Sequence, residues 1–333
     1  MRKLMSAVVV SAVWASILMV PWAAKGEVVW KLAHKMPPAS PEGKAYQLFA
    51  DEVYKLSKGK MKIQVYHSEQ LGAVRVSLDM LRRGTIQIYV EGISYAHSFV
   101  PQFYVPTLPF VFRDRAHLIK FIQSPMFNEW KEELIKKAGI RILGYGEFVR
   151  GPYRVLVSTR PVLKLEDVKG LKLRMYKSEM VMSVWRELGA NIIYLAWTEV
   201  YEGLKRGLID AVTSPVGLVE SMNFQEVAKY MLRTNEFPQS IAFFVNEKAY
   251  QKLSEDLKKV LRKAYEASCK YSQEIMEKAA EESIDRMIQR DKLTFIRAPM
   301  DAFREKVRPL YEKWELEGKY GLRKGMIDYI KSL

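Results

Sequence analysis

The chain has 333 residues, 49% of them hydrophobic, and a formal net charge of +15. That length passes the roughly 250–300 residues at which a single core gives way to lobes, so more than one folded unit is expected. A single cysteine, Cys269, excludes an internal disulfide and a cysteine-based metal site, and the four histidines (His34, His67, His97, His117) lack ligand spacing, so no metal or other cofactor is expected.

Residues 1–26 differ in character from the rest of the chain. Arg2 and Lys3 precede an uncharged run from Leu4 to Ala24, with small residues at Ala24 and Gly26. This is the pattern of a secretory signal peptide, cleaved after Gly26. An uncleaved membrane anchor is the alternative, since about 20 apolar residues span a bilayer. Ser6, Ser11, Ser16 and Pro21 dilute the run and favour removal. Loss of Arg2, Lys3 and Lys25 leaves +12 (15 − 3) on the mature chain. Export without disulfides suits a bacterial periplasm. The excess charge is spread along helical faces, which argues against nucleic acid and for a general attraction of small anions.

Beyond the leader, strands and helices alternate. EVVWKLAH (27–34) reads as a strand, Gly43–Ser57 as a helix, MKIQVYH (61–67) as a strand, Val74–Arg83 as a helix and TIQIYVEG (85–92) as a third strand. The rhythm returns with strands over 139–147, 153–158, 171–176, 191–196 and 210–214. Helices Ser178–Leu188 and Trp197–Arg206 lie among them. IAFFVNEKAY (241–250) reads as a strand returning to the first unit. Such alternation predicts an α/β fold with largely parallel sheets. From Ser254 to Arg290 the pattern is helical without proline or glycine. At about 1.5 Å per residue this helix exceeds 50 Å, enough for a strut spanning two lobes; a break near Ser268 is the alternative. Amphipathic helices over 301–317 and near 322–330 close the chain.

The chemistry concentrates between Arg154 and Pro215. Arg154 (YRVLV) and Arg174 (LKLRM) each sit within an apolar, β-prone run. A guanidinium stays charged and offers a planar fork matched to a carboxylate. Facing a cleft, such a group is an anion clamp. The glycine cluster GYGEFVRG lacks the GxGxxG order and opens no helix, so a nucleotide is not expected. No nucleophile elbow, paired carboxylates or metal cluster is present for catalysis. An exported enzyme that processes carboxylates is the second reading.

Phrases spread along the chain, EQLGAVRVSLDMLRRGTIQI, VPTLPFVFRDRAH, LEDVKGLKLRM, LGANIIYLAWTEVYEGLKRGLIDAV and APMDAFREKVRPLYEKW, resemble the solute-binding proteins of tripartite ATP-independent periplasmic (TRAP) transporters, of the dicarboxylate-binding type. The resemblance implies a two-lobed periplasmic-binding-protein fold, with hinge strands and the long helix spanning both lobes, that closes on its ligand. The expected division places 27–151 with 240–279 in lobe I, and 152–239 with 280–333 in lobe II. It also implies that a small organic acid is captured and delivered to membrane permease subunits. By the same resemblance Arg174 takes the substrate carboxylate and Arg154 reaches the same ligand. Trp197 lines the pocket, Ser214 stands where asparagine is frequent, and Glu91 and His34 face the cleft from the first lobe. Tyr176 follows Arg174 on the same strand face as a further pocket candidate. Because Ser214 is short and Ser94 stands where the sialic-acid subgroup has arginine, a compact acid is expected rather than a large polyhydroxylated one.

Overall fold

The computed structural model describes residues 27–144, 148 and 150–333. The expected signal segment, and the end of the strand expected over 139–147, lie outside the described residues.

The first half of the chain builds one sheet. Strand β1 (Val28–His34) leads to helix α1 (Pro41–Leu56), strand β2 (Met61–Tyr66), helix α2 (Val74–Arg83) and strand β3 (Ile88–Gly92). Ser40 starts α1 by accepting the Gly43 N–H on its hydroxyl, with Pro41 in the first turn. Gly84, at φ 77°, ends α2 in the left-handed conformation that glycine adopts without strain. Short 3-10 helices at 93–98 and 101–107 follow, then α3 (Arg115–Ile122), α4 (Pro125–Ala138) and β4 (Ile140–Leu143). The backbone then crosses to a second sheet. There run β5 (Arg154–Ser158), β6 (Lys172–Met175), α5 (Glu179–Glu187), β7 (Asn191–Tyr194), α6 (Val200–Lys205), β8 (Ala211–Pro215), α7 (Phe224–Val227) and β9 (Tyr230–Arg233).

The chain returns as β10 (Ile241–Asn246), which inserts antiparallel between β3 and β4. The first sheet has the order β2-β1-β3-β10-β4. After α8 (Glu247–Gln251) and α9 (Glu255–Asp291), strand β11 (Thr294–Ile296) joins the edge of the second sheet, whose order is β11-β9-β5-β8-β6-β7. Helices α10 (Asp301–Glu317) and α11 (Met326–Ser332) complete the fold. The protein is two-lobed and α/β, as expected, but both sheets are mixed rather than largely parallel, because β10 and β5 each pair antiparallel with both neighbours.

Two crossing segments lie side by side between the sheets. Arg150 N–H donates to Gln239 O, Ile241 N–H to Phe148 O, and Thr234 N–H to Arg154 O. Helix α9 is the third connection. Its 37 residues are unbroken, so the strut forms and the break near Ser268 does not. Its first half lies on α1, where Ser268 Oγ donates to Ala45 O at 2.6 Å and Cys269 is buried. Its second half serves the other lobe, with Arg286 paired to Glu220 at 2.7 Å. No helix among the described residues is long and apolar enough to cross a membrane.

One expected strand needs a new boundary, and two short strands are additional. The strand expected over 241–250 stops at Asn246, whose side chain caps α8 by accepting the Ala249 N–H. Strands β9 and β11 are short and were not expected. The C-terminal helix, expected with the rest of 280–333 in lobe II, also makes contacts with the first-sheet side. His117 Nε2 lies 2.6 Å from Ile330 O, and Arg113 donates to Lys331 O, which fastens α11 to α3 on the first-sheet side. Helix α10 reaches both ways, through Lys306–Glu187 and through the Tyr311 hydroxyl on Pro109 O.

Under α1, Phe49 packs on Phe243 of β10 with ring centres 5.0 Å apart, and both are fully buried. Phe49→Ala is expected to lower stability by about 3–5 kcal/mol, read by urea denaturation of the purified protein.

Candidate functional site

Between the lobes lies a cleft of about 820 Å³. A narrow recess continues from its floor, and the two share Lys35, Tyr95, Arg174, Tyr176 and Trp197. The C-terminal ends of parallel strands β1, β3 and β6 lead toward this place, where open α/β sheets usually hold ligands.

Arg174 is placed by strand alternation. Leu171, Leu173 and Met175 bury one face of β6 in the second-lobe core, which sends Arg174 to the other. Its Nε and Nη2 donate to the Leu195 carbonyl at 2.9 and 2.7 Å. Those bonds fix the fork and use two of the five guanidinium N–H donors. The group is only 4% exposed, and among the described residues no carboxylate pairs with it. Burial lowers its pKa to about 10, which still leaves it charged at neutral pH. Trp197 sits 5.4 Å from the guanidinium and rests edge-on against Phe224; its buried indole N–H has no hydrogen-bond partner among the described residues. The Tyr176 ring lies beside Tyr95 of the facing lobe at 5.8 Å, and burial pushes its hydroxyl to about 12.

Arg154 also lines the recess, but every nitrogen is engaged. Nε reaches Glu236 at 2.6 Å, Nη1 reaches Gln239 at 2.6 Å, and Nη2 reaches Thr213 at 2.8 Å. Phe237 stacks beneath it at 4.6 Å, and Glu236 also accepts from the Trp185 indole. This arginine is a buried brace.

The remaining expected residues lie under or behind the cleft wall. Glu91 is fully buried and holds Lys35 Nζ at 2.8 Å. Arg150 links Glu91, at 3.4 Å, to Glu42, at 2.7 Å, so four charges form one buried chain. Burial alone would raise the Glu91 carboxyl, but Lys35 and Arg150 outweigh it and hold the pKa below its ordinary value. His34 packs against Tyr46 and His67, and its Nδ1 accepts the Met36 N–H. Ser214 turns away, donating to Pro215 O, while the adjacent Thr213 faces the recess. Ser214 lines neither the cleft nor the recess.

Sequence reasoning missed Lys35, Tyr95, Thr213 and Gln239. Lys35 follows directly on β1, so its position at a strand end was the one signal pointing to it. Among the described residues no group of histidine, cysteine or carboxylate side chains is arranged to hold a metal.

A profile of the family described as "Bacterial extracellular solute-binding protein, family 7" matches residues 32–317. A solute-binding protein of Roseobacter denitrificans is 27% identical, with 86% of this chain and 90% of that protein covered. A TRAP periplasmic solute-binding protein from Ochrobacterium anthropi, solved with bound L-fuconate, superposes with a TM-score of 0.84 at 25% identity, over 92% of this chain and 99% of that one. The sugar acid binding protein of Advenella mimigardefordensis, in complex with galactonate, gives 0.83 at 25% identity, over the same 92% and 99%.

Two outcomes are expected from these environments. Arg154→Ala leaves Glu236 buried without its cation and is expected to destabilise the fold by about 3–5 kcal/mol in urea denaturation. Burial, with His67 nearby, lowers the His34 pKa from 6.5 to about 3. Between those values the unfolded chain binds the proton and the native chain does not. The contribution is therefore complete above pH 6.5 and lost as pH falls toward 3, at up to about 1.4 kcal/mol per pH unit. Thermal melts from pH 7 to 4 should show this decline, and it should be shallower in His34→Gln.

Proposed function

The chain belongs to family 7 of the bacterial extracellular solute-binding proteins, and from that premise we propose that it captures an organic acid through Arg174 and delivers it to a TRAP permease. Its family and structural neighbours are substrate-binding transport proteins, so it is not an enzyme, and the carboxylate-processing reading is set aside. The carrying observation is a buried guanidinium on the cleft floor that no carboxylate among the described residues pairs with. A ligand carboxylate supplies the missing charge. Trp197 and Tyr176 flank the bound group, and Arg154 steadies the recess behind it. Glu91 acts through Lys35, and His34 supports the wall without touching ligand. Ser214 has no part in contact.

The carboxylate docks first on the second lobe, which carries Arg174. The first lobe then closes over it, bringing Lys35 and Tyr95 to the ligand. Exclusion of water strengthens the ion pair, and the closed form is what the permease engages. The two structural neighbours hold sugar acids, which are carboxylates. Placement in the periplasm after removal of residues 1–26 belongs to the same proposal.

A charge-assisted hydrogen bond is worth about 1.5–3 kcal/mol, so Arg174→Ala should weaken acid binding roughly 10- to 150-fold while circular dichroism stays native. Arg174→Lys should recover only part, since an ammonium lacks the two-pronged fork. Unchanged affinity of Arg174→Ala in calorimetry would remove Arg174 from the site.

A further inference from the structure

We propose that the cleft selects acids carrying a single negative charge and an apolar tail, and discriminates against dicarboxylates and polyhydroxylated acids. This rests on the reading of Arg174 as the carboxylate partner.

Charge balance supports the first half. The buried chain of Lys35, Glu91, Arg150 and Glu42 contains two cations and two carboxylates, joined at 2.8, 3.4 and 2.7 Å. Arg154 and Glu236 form a second balanced unit at 2.6 Å. Among the described residues Arg174 alone has no counter-charge in the floor of the cleft, so those residues give the floor one net positive charge. The outer wall adds none, because Arg75, Arg82 and Lys177 are matched in number by Glu69, Asp79 and Glu179. A ligand with one carboxylate neutralises the site. A second carboxylate would lose its water and meet cations already compensated by Glu42, Glu91 and Glu236, a poor exchange for a buried charge. Lys35 still has ammonium protons to offer a neutral oxygen near the carboxylate.

The walls support the second half. Val74 and Leu78 of α2, with Tyr95, Phe99 and Tyr104, line the first-lobe side of the cleft. Tyr194, Leu195 and Trp197 face them from the second lobe. A polyhydroxylated chain needs a polar partner for nearly every hydroxyl; Arg154 takes the oxygens of Gln239 and Thr213, so their remaining N–H and O–H, with the Trp197 indole N–H, serve only ligand oxygens close to the floor. Aromatic and branched walls instead favour apolar surface that leaves water.

The test uses the purified wild-type protein, stripped of endogenous ligand by unfolding and refolding, in thermal-shift and calorimetric titrations. The probes are 3-phenylpropanoate and 4-methylpentanoate, against glutarate and galactonate. At least one of the first pair should bind roughly tenfold or more tighter than glutarate and galactonate. If glutarate or galactonate binds as tightly or tighter, and Arg174→Ala abolishes it, the selectivity proposed here is wrong while the role of Arg174 stands. If none of the four acids binds, both readings fall. Glu91→Gln, folded by circular dichroism, frees the Lys35 charge and should narrow the gap to glutarate several-fold. An unchanged gap in that variant overturns the charge account, and the wild-type comparison decides the matter should the variant not fold.

Discussion

A desolvated guanidinium without a counter-ion is an unfavourable thing to build, and the cleft is organised around keeping one. Arg174 is tolerated because Leu195 O takes two of its N–H donors and Trp197 lies close beside it. Those contacts are neutral, so they orient the fork without cancelling its charge. The other buried cations described in the floor, Lys35, Arg150 and Arg154, are each paired with a glutamate. The contrast between one open charge and several closed pairs gives the site its polarity. Two arginines so alike in sequence thus differ in their partners, Arg154 having a carboxylate and Arg174 only a carbonyl.

The closed pairs serve architecture. Arg154 at the start of β5 and Glu236 in the returning segment bind the two crossings to each other. Arg150, in the outward crossing, ties to Glu91 on β3 and Glu42 on α1. The hinge is therefore pinned by ion pairs on both sides, and Lys35 reaches the cleft from the same network. Across the cleft the walls already meet, with the Thr198 hydroxyl 3.4 Å from Glu69 and Tyr95 beside Tyr176. The packing around the ligand space thus continues directly into the packing that joins the lobes.

Much of this was legible in the amino-acid sequence, for local reasons. The alternation of β6 placed Arg174 opposite Leu171 and Leu173, and Tyr176 followed from the same period. The long helix was readable because nothing in 254–290 interrupts it. The misses come from non-local or one-residue effects. DAVTSP holds two adjacent hydroxyls, and a strand sends neighbours to opposite faces, so Thr213 rather than Ser214 reaches the recess. The partner of Arg154 stands 82 positions away in an irregular segment, beyond any spacing rule. Glu91 and His34 were placed at the right strand ends but on the wrong side of the wall. The short edge strands β9 and β11 have too few residues to show a period.

Helix α9 has a mechanical consequence. It is one rigid-backed rod of 37 residues anchored to α1 at one end and to Glu220 at the other, with no proline or glycine to act as a joint. Any swing of one lobe against the other must flex this rod or shear it along its seats. Where ligand capture swings the lobes, elastic work in the rod enters the binding equilibrium, and affinity then carries the stiffness of a helix that lines no part of the cleft.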